Sequence, residues 1–174
     1  MNEFRKYKLE KLFRISTGGD VIISTTPAGN IPLISHQHGN NGIAKYVRRQ
    51  DNMVLYKAEE TIALADRGVF YATVQNKDFY IGTRVKALTF LDGAKSLAVR
   101  LYVATAINML QPYFVEYSQN ATDDLPNLSI ELPAVSDDIP DYSYMECYIK
   151  TLEAEYISKL RKHLTKTVKN KRSL

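Results

Sequence analysis

Two short polar runs hold the side chains best suited to chemistry on a ligand: His36-Gln-His-Gly-Asn-Asn-Gly42 and Gln75-Asn-Lys-Asp78. Side chains of these types read base edges, since Asn and Gln pair with adenine while Lys and Arg pair with guanine. Gln37, Asn40, Asn41, Gln75, Asn76 and Lys77 are therefore candidate base contacts. Lys45, Arg48, Arg49 and Arg84 are candidate phosphate contacts, because each phosphate that a cation neutralises releases counterions. Polar loops occur on every soluble protein, so composition alone does not choose this reading over an ordinary solvated surface.

Catalytic patterns are poor by comparison. The chain has no Gly-x-x-x-x-Gly-Lys-Ser/Thr phosphate loop, no Gly-x-Gly-x-x-Gly and no Gly-x-Ser-x-Gly elbow. His36 and His38 are two apart and can face one side of an extended segment to share a metal, but no third or fourth ligand accompanies them and His163 is distant. Hydrogen bonding within the loop is the expected role for both. Pro140-Asp141 opens like the Pro-Asp…Asp/Glu-x-Lys motif of nucleases, yet Glu146 is followed by Cys-Tyr-Ile and the lysine is missing. Cys147, the single cysteine, has no histidine near it and is expected to be a buried or half-buried thiol on a helix. No catalytic residue, metal set or cofactor site can be placed.

The elements that must position these loops are mostly short strands. Val21–Ser24, Ile31–Ser35 with an edge at Pro32, Thr61–Ala65, Val69–Val74, Phe79–Ile81, Arg84–Leu91, a brief Phe114–Tyr117 and Leu128–Leu132 all read as β. Thr17–Asp20, Thr26–Asn30, Asp66–Gly68, Asp92–Lys95 and Gln119–Asp124 read as turns and loops. Leu9, Leu12 and Phe13 share a possible helical face. Ser96 suits the N-cap of a helix over 97–110, with Leu97, Leu101, Ala104, Ile107 and Leu110 on its buried side and Pro112 as its stop. Pro133 is expected to end the last strand. Pro140 and Asp141 suit the first turn of a long helix. Along it Met145, Ile149, Leu152, Tyr156 and Leu160 form one apolar stripe, while Glu146, Lys150, Glu153, Lys159 and Lys162 fall off it. A helix of about 22 residues spans roughly 33 Å, so it must fold back on its own domain or pair with another helix. Many strands, one middle helix and one terminal helix predict an α+β fold rather than alternating βαβ.

At 174 residues, with 45% hydrophobic and 24% charged residues, the chain is an ordinary single-domain length and composition. It has no apolar run long enough to cross a bilayer, no apolar core of a signal peptide at its start, and one cysteine, so a cytoplasmic location is expected. The net charge of +4 is uneven: residues 159–174 hold seven of the 23 cations and no acid, which leaves the rest negative against 19 acids. That basic end suits either a solvated helix terminus or contact with nucleic acid.

Taken in order, these segments resemble a target-recognition domain of the specificity subunits of type I restriction–modification systems and related type IIB and IIG enzymes. The likeness runs through Leu9-Glu-Lys-Leu-Phe-Arg-Ile-Ser-Thr-Gly-Gly19, Gly29-Asn-Ile-Pro-Leu-Ile-Ser35 and Asn41-Gly-Ile43. It continues through Ile62-Ala-Leu-Ala-Asp-Arg-Gly-Val-Phe-Tyr71, Leu88-Thr-Phe-Leu91 and Ile130-Glu-Leu-Pro133. It covers nearly the whole length. The chain departs from the family's Pro-Pro-Leu-x-x-Gln closing signature: Pro133-Ala-Val and then Pro140-Asp-Tyr-Ser-Tyr-Met-Glu-Cys-Tyr-Ile149 stand there, a form similar to type IIB or IIG specificity regions.

The resemblance implies a compact, mostly antiparallel β recognition domain over 1–138, a long helix over 139–165 for dimerisation and methyltransferase contact, and a basic tail over 166–174. It implies a non-catalytic reader of double-stranded DNA that directs a methyltransferase subunit, and possibly a restriction subunit. S-adenosylmethionine would belong to that partner. Family subunits carry two recognition domains and two antiparallel helices, and this chain has one of each, so a homodimer through Met145, Ile149, Leu152, Tyr156 and Leu160 is expected. The competing expectation is a scaffold or regulator on the same fold that binds the methyltransferase without reading DNA.

Overall fold

The computed structural model describes residues 3–66, 69–114 and 124–171, and the side chains of the last helix as far as Thr165. In chain order, β1 (Glu3–Lys8), the single turn α1 (Leu9–Leu12) and β2 (Phe13–Thr17) are followed by the hairpin of β3 (Ala28–Ile34) and β4 (Ile43–Val47). Next come β5 (Thr61–Asp66), β6 (Phe70–Thr73), the two-residue β7 (Tyr80–Ile81) and β8 (Val85–Phe90). Helix α2 (Leu97–Asn108), β9 (Ser129–Ser136), the two-residue β10 (Ile139–Pro140) and helix α3 (Tyr142–Lys171) complete the chain. The fold is α+β, as the sequence predicts.

Period-two alternation sorts the two central strands. β5 and β8 are buried along their whole length, in a four-stranded antiparallel sheet ordered β2-β8-β5-β6. Ile62, Leu64, Leu88 and Phe90 point to one face and join the main core with Val99, Val103 and Ile107 of α2. Ala63, Val85 and Ala87 point to the other face and pack with Ile34, Phe79 and Ile81. Small residues on that second face let the β4-β3-β7 sheet approach closely. Leu9, Leu12 and Phe13 enter the main core together from α1 and the start of β2, as their spacing suggests.

Several local expectations are corrected. Val21–Ser24 is no strand: the segment turns, with the hydroxyls of Thr25 and Thr26 donating to the Ile22 carbonyl at 3.2 and 2.9 Å. Thr26–Asn30 is not wholly loop, since β3 begins at Ala28 and runs as the middle strand of its sheet rather than an edge. Pro133 does not end the last strand, which continues to Ser136. The Pro133 carbonyl accepts from Asp141 N at 2.7 Å, on the side where β10 has already turned into α3. The donor that proline lacks faces that same side, where no ladder partner needs it. Pro140 lies in β10, not in the helix; Asp141 is the cap, and its Oδ1 accepts from Tyr144 N at 2.9 Å. The Phe114 segment is a 3-10 turn from Gln111 to Phe114; the remainder of that expected strand, the Asp66–Gly68 turn beyond Asp66 and the loop over 119–123 lie outside the described residues.

Ser96 caps α2 as expected, its Oγ accepting from Val99 N at 3.3 Å. The helix ends at Asn108, and its buried side matches the expected one in part: Ala104 and Ile107 are buried and Leu101 and Leu110 pack half-buried on the core, but Leu97 is exposed and Ala98, Val99, Arg100 and Val103 are buried as well. Asn108 completes the free edge of β6. Its Oδ1 accepts from Ala72 N at 2.6 Å and its Nδ2 donates to Ala72 O at 3.0 Å, so a side-chain amide stands in for the next strand.

Helix α3 starts at Tyr142, three residues later than the expected 139, and runs past 165 to Lys171. Its first turns dock on the domain. Met145 is completely buried, Ile149 and Leu152 are half-buried, and Tyr142 packs edge-on to Phe90 with the Lys95 ammonium 4.7 Å from its ring. Burial, with Asp92 beside it, drives the Tyr142 hydroxyl well above its ordinary pKa. From Glu153 to Thr165 every side chain is exposed, a projection of about 20 Å at helical rise. Cys147 is exposed, contrary to the expected burial, because it falls on the face of α3 turned from the domain.

Asn108→Ala strands both polar groups of Ala72 and removes the cover from β6. The expected loss is about 1–3 kcal/mol in urea unfolding; an unchanged midpoint would contradict the edge-capping role.

Candidate nucleic-acid interface

The two polar loops meet just beyond the C-terminal end of β6, where Asn41 lies against Val74 and Gln75. The first leaves β3 at Ser35, which is tied across the loop to Gly42 O at 2.9 Å, and closes as a 3-10 turn over Gly39–Gly42. Asn40, Asn41 and Gly42 take φ of 50°, 52° and 78°, the left-handed region that Asn tolerates and Gly favours. At 42 a side chain is strained by the positive φ, and its Cβ would press on Ile34 Cγ2 at 3.1 Å. The amides fasten the turn from within: Gln37 Nε2 donates to Ile43 O at 2.9 Å and Gly39 O at 3.3 Å, and Asn40 Nδ2 donates to Ile43 O at 3.0 Å.

The second loop is locked to the first by a reciprocal exchange. Asn41 Nδ2 donates to Val74 O at 2.8 Å, and Gln75 Nε2 donates to Asn41 O at 2.9 Å and to Thr73 Oγ1 at 3.2 Å. Behind them Arg100 Nη1 donates to Gln75 O at 2.9 Å, and its Nε donates to Lys95 O at 3.2 Å. Burial pulls the pKa of Arg100 down. At the far end of the loop Asp78 accepts from Ala58 N at 3.0 Å and from Lys57 Nζ at 2.7 Å, which holds its carboxyl below the ordinary aspartate range. A hollow of about 380 Å³ lies between Asn41, Tyr71 and Asn76 on one side and Leu97, Leu101 and Thr105 on the other.

The predicted site residues separate into groups. Asn40, Asn41, Asn76 and Lys77 are exposed, and Gln37 is half-buried at the base of its turn. Gln75 is only 2% exposed, so the structure corrects its placement as a base contact: it positions Asn41 from behind. Lys45 is half-buried and straps the 21–27 loop, donating to Thr26 O at 2.6 Å and Ile23 O at 3.1 Å. Arg48 and Arg49 are exposed but follow the end of β4, about 14 Å by strand rise from the loop end at Ile43. Arg84 is half-buried with φ of 61° at the entry to β8. The four cations thus do not share the loop surface.

Sequence reasoning missed Arg100 and the contact between His38 and Tyr71. The two rings lie 4.7 Å apart, tilted by 34°, and His38 Nε2 approaches Gln111 Nε2 at 3.4 Å. Arg100 was legible as a lone cation inside an apolar helix, which signals a carbonyl partner. Among the described residues no group of three or more His, Cys, Asp or Glu is placed to hold a metal, and no helix is long and apolar enough to cross a membrane.

No protein-family profile matches the chain. Over 165 residues it is 26% identical to the type II restriction enzyme BgcI specificity subunit S.BcgI of Heyndrickxia coagulans, covering 88% of this chain and 45% of that subunit. Among solved structures it is similar to the S subunit of a type I restriction–modification system from M. genitalium (TM-score 0.60, 19% identity, 88% of this chain and 39% of that one). It is also similar to the HsdS subunit of Thermoanaerobacter tengcongensis (TM-score 0.61, 18% identity, 91% and 39%). The chain spans less than half the length of each. Its fold is that of restriction–modification specificity subunits, and the resemblance drawn from the ordered motifs is borne out.

Two measurements check the loop geometry. Gln75→Ala leaves the Asn41 carbonyl unpaired and is expected to cost about 1–3 kcal/mol, whereas Asn76→Ala, on an exposed side chain, changes stability by less than about 0.5 kcal/mol; equal effects would contradict the assignment. Because the Asp78 pKa is lowered by folding, its contribution is present above the ordinary aspartate pKa and is lost as pH falls through the folded value. Wild type and Asp78→Asn should therefore differ near neutrality and converge below about pH 4.

Proposed function

We propose that the chain is the DNA-reading half of a restriction–modification specificity subunit. It is non-catalytic, acts in the cytoplasm on double-stranded DNA, and directs a partner methyltransferase, with or without a restriction subunit. S-adenosylmethionine belongs to that partner. The domain over 1–138 reads DNA, and the helix beyond it spaces and assembles the complex. The observation that carries this reading is the similarity in sequence and fold to specificity subunits over nearly nine-tenths of the chain. The locked polar loops supply a base-reading surface, and Lys77, Arg48 and Arg49 supply exposed cations for the backbone.

The helix supports assembly as a homodimer. Beyond Leu152 the stripe continues with Tyr156, Leu160 and Leu164, which are 63%, 61% and 62% exposed, beside Ile157. Such an apolar row on a projecting helix calls for a partner surface. On the projecting part of the same helix charge is segregated: Glu153 and Glu155 come before Lys159, Arg161 and Lys162, while Lys150 is paired with Glu146 at 2.6 Å nearer the domain. Two copies laid antiparallel bring acids of one opposite cations of the other, whereas a parallel pair sets like against like. A two-fold dimer presents identical loops to two half-sites.

Two outcomes are expected. Affinity for duplex DNA should fall linearly in log–log terms with salt, and Arg48→Ala should reduce the slope by about 1 without changing base preference; salt-independent binding would favour a scaffold. Leu160→Glu should halve the mass measured by sedimentation equilibrium while the domain stays folded, and a wild-type mass of one chain would exclude the homodimer.

A further inference from the structure

The orientation of the loop amides restricts which base edges they can read, an inference that rests on the DNA-reading role proposed above. Gln37 Nε2 is bound to two carbonyls, Ile43 O and Gly39 O, so both of its protons are engaged. Asn40 Nδ2 is bound to Ile43 O and Asn41 Nδ2 to Val74 O. A main-chain carbonyl only accepts, so each amide is fixed with its nitrogen inward and its oxygen away from that bond. No described residue donates to Gln37 Oε1, Asn40 Oδ1 or Asn41 Oδ1, and none of the three is sealed from solvent without a partner. The left-handed backbone at 40–42, and the packing of Gly42 against Ile34 and Thr73, oppose rotation of the turn.

We infer that this loop reads by acceptors: the free oxygens of Gln37, Asn40 and Asn41 select a base amino group in the major groove, adenine N6 or cytosine N4, and Gln37, both of whose N–H groups are engaged, cannot form the two-bond amide pairing that also needs purine N7. Those amino groups are the donors the major groove offers, while N7, guanine O6 and thymine O4 are acceptors that three outward oxygens would repel. The usual Asn or Gln pairing with adenine needs an outward amide N–H, and in Gln37 none remains.

The test uses the full-length chain on a duplex target selected from a random library. Asn40→Gly keeps the left-handed backbone free of strain and removes the amide, so the base pair whose preference it relaxes is the one the loop reads. At that pair the amino group is removed, with purine in place of adenine or pyrimidin-2-one in place of cytosine. N7 is removed separately with the 7-deaza analogue of the purine, and the same analogues at a pair whose preference is unchanged serve as control. Loss of the amino group should weaken binding about 10-fold beyond the control, and loss of N7 should leave it unchanged. Weakening on loss of N7, or an amino group that proves dispensable, overturns the acceptor reading while DNA recognition stands. So does an Asn40→Gly variant that retains every preference. If no sequence is enriched at all, the DNA-reading role itself fails.

Discussion

The exchange between Asn41 and the Val74–Gln75 segment holds the candidate surface together. Each loop supplies both a side-chain donor and a main-chain acceptor to the other, so neither moves alone. Arg100 extends the constraint into α2, and α2 packs through Val99, Val103 and Ile107 on the central sheet. Hydrogen bonds partly shielded from water in this way cost stability when one partner is lost, because a group is left unpaired. A pair of loops that would otherwise be adaptable becomes one rigid body just beyond the end of β6. In the proposed DNA-reading role, rigidity of that kind would favour discrimination, since a preformed surface cannot rearrange to suit a wrong base.

The second organising constraint is the apolar row on α3. It begins as core, with Met145 buried, and ends as surface, with Leu160 and Leu164 in solvent. One periodic pattern thus runs from core to surface: the domain covers its first turns, and the later turns stay exposed. Packing of Tyr142 on Phe90 and of Tyr148 on Tyr102 fixes the angle at which the helix leaves the domain. In the proposed two-copy assembly, the spacing between the two domains would be set by the same contacts that stabilise one copy.

Much of this was legible in the sequence and some was not, for reasons that can be named. The α+β class, the Ser96 cap and the strands at Thr61 and Val85 follow from pattern, because burial on both faces selects unbroken apolar runs. Pro133 and Pro140 misled, since the missing donor of a proline matters only where a partner strand needs it, and β10 is two residues long. The buried face of α2 was read only in part because Arg100 sits on it, and a cation directed at carbonyls counts as core in a way that hydropathy does not reveal. The polar loops were recognisable by residue type, but Gln75 faced inward. Which amide in a polar run holds the loop and which faces out depends on contacts thirty or more residues away, and no local rule supplies them.

In the proposed role the chain reads DNA sequence as one half of a two-fold pair. Selection from a random duplex library with the purified chain, repeated with a methyltransferase subunit present, tests that role. An interrupted palindrome is expected, with half-sites of one short sequence at fixed separation. A library left unenriched under both conditions would exclude the role.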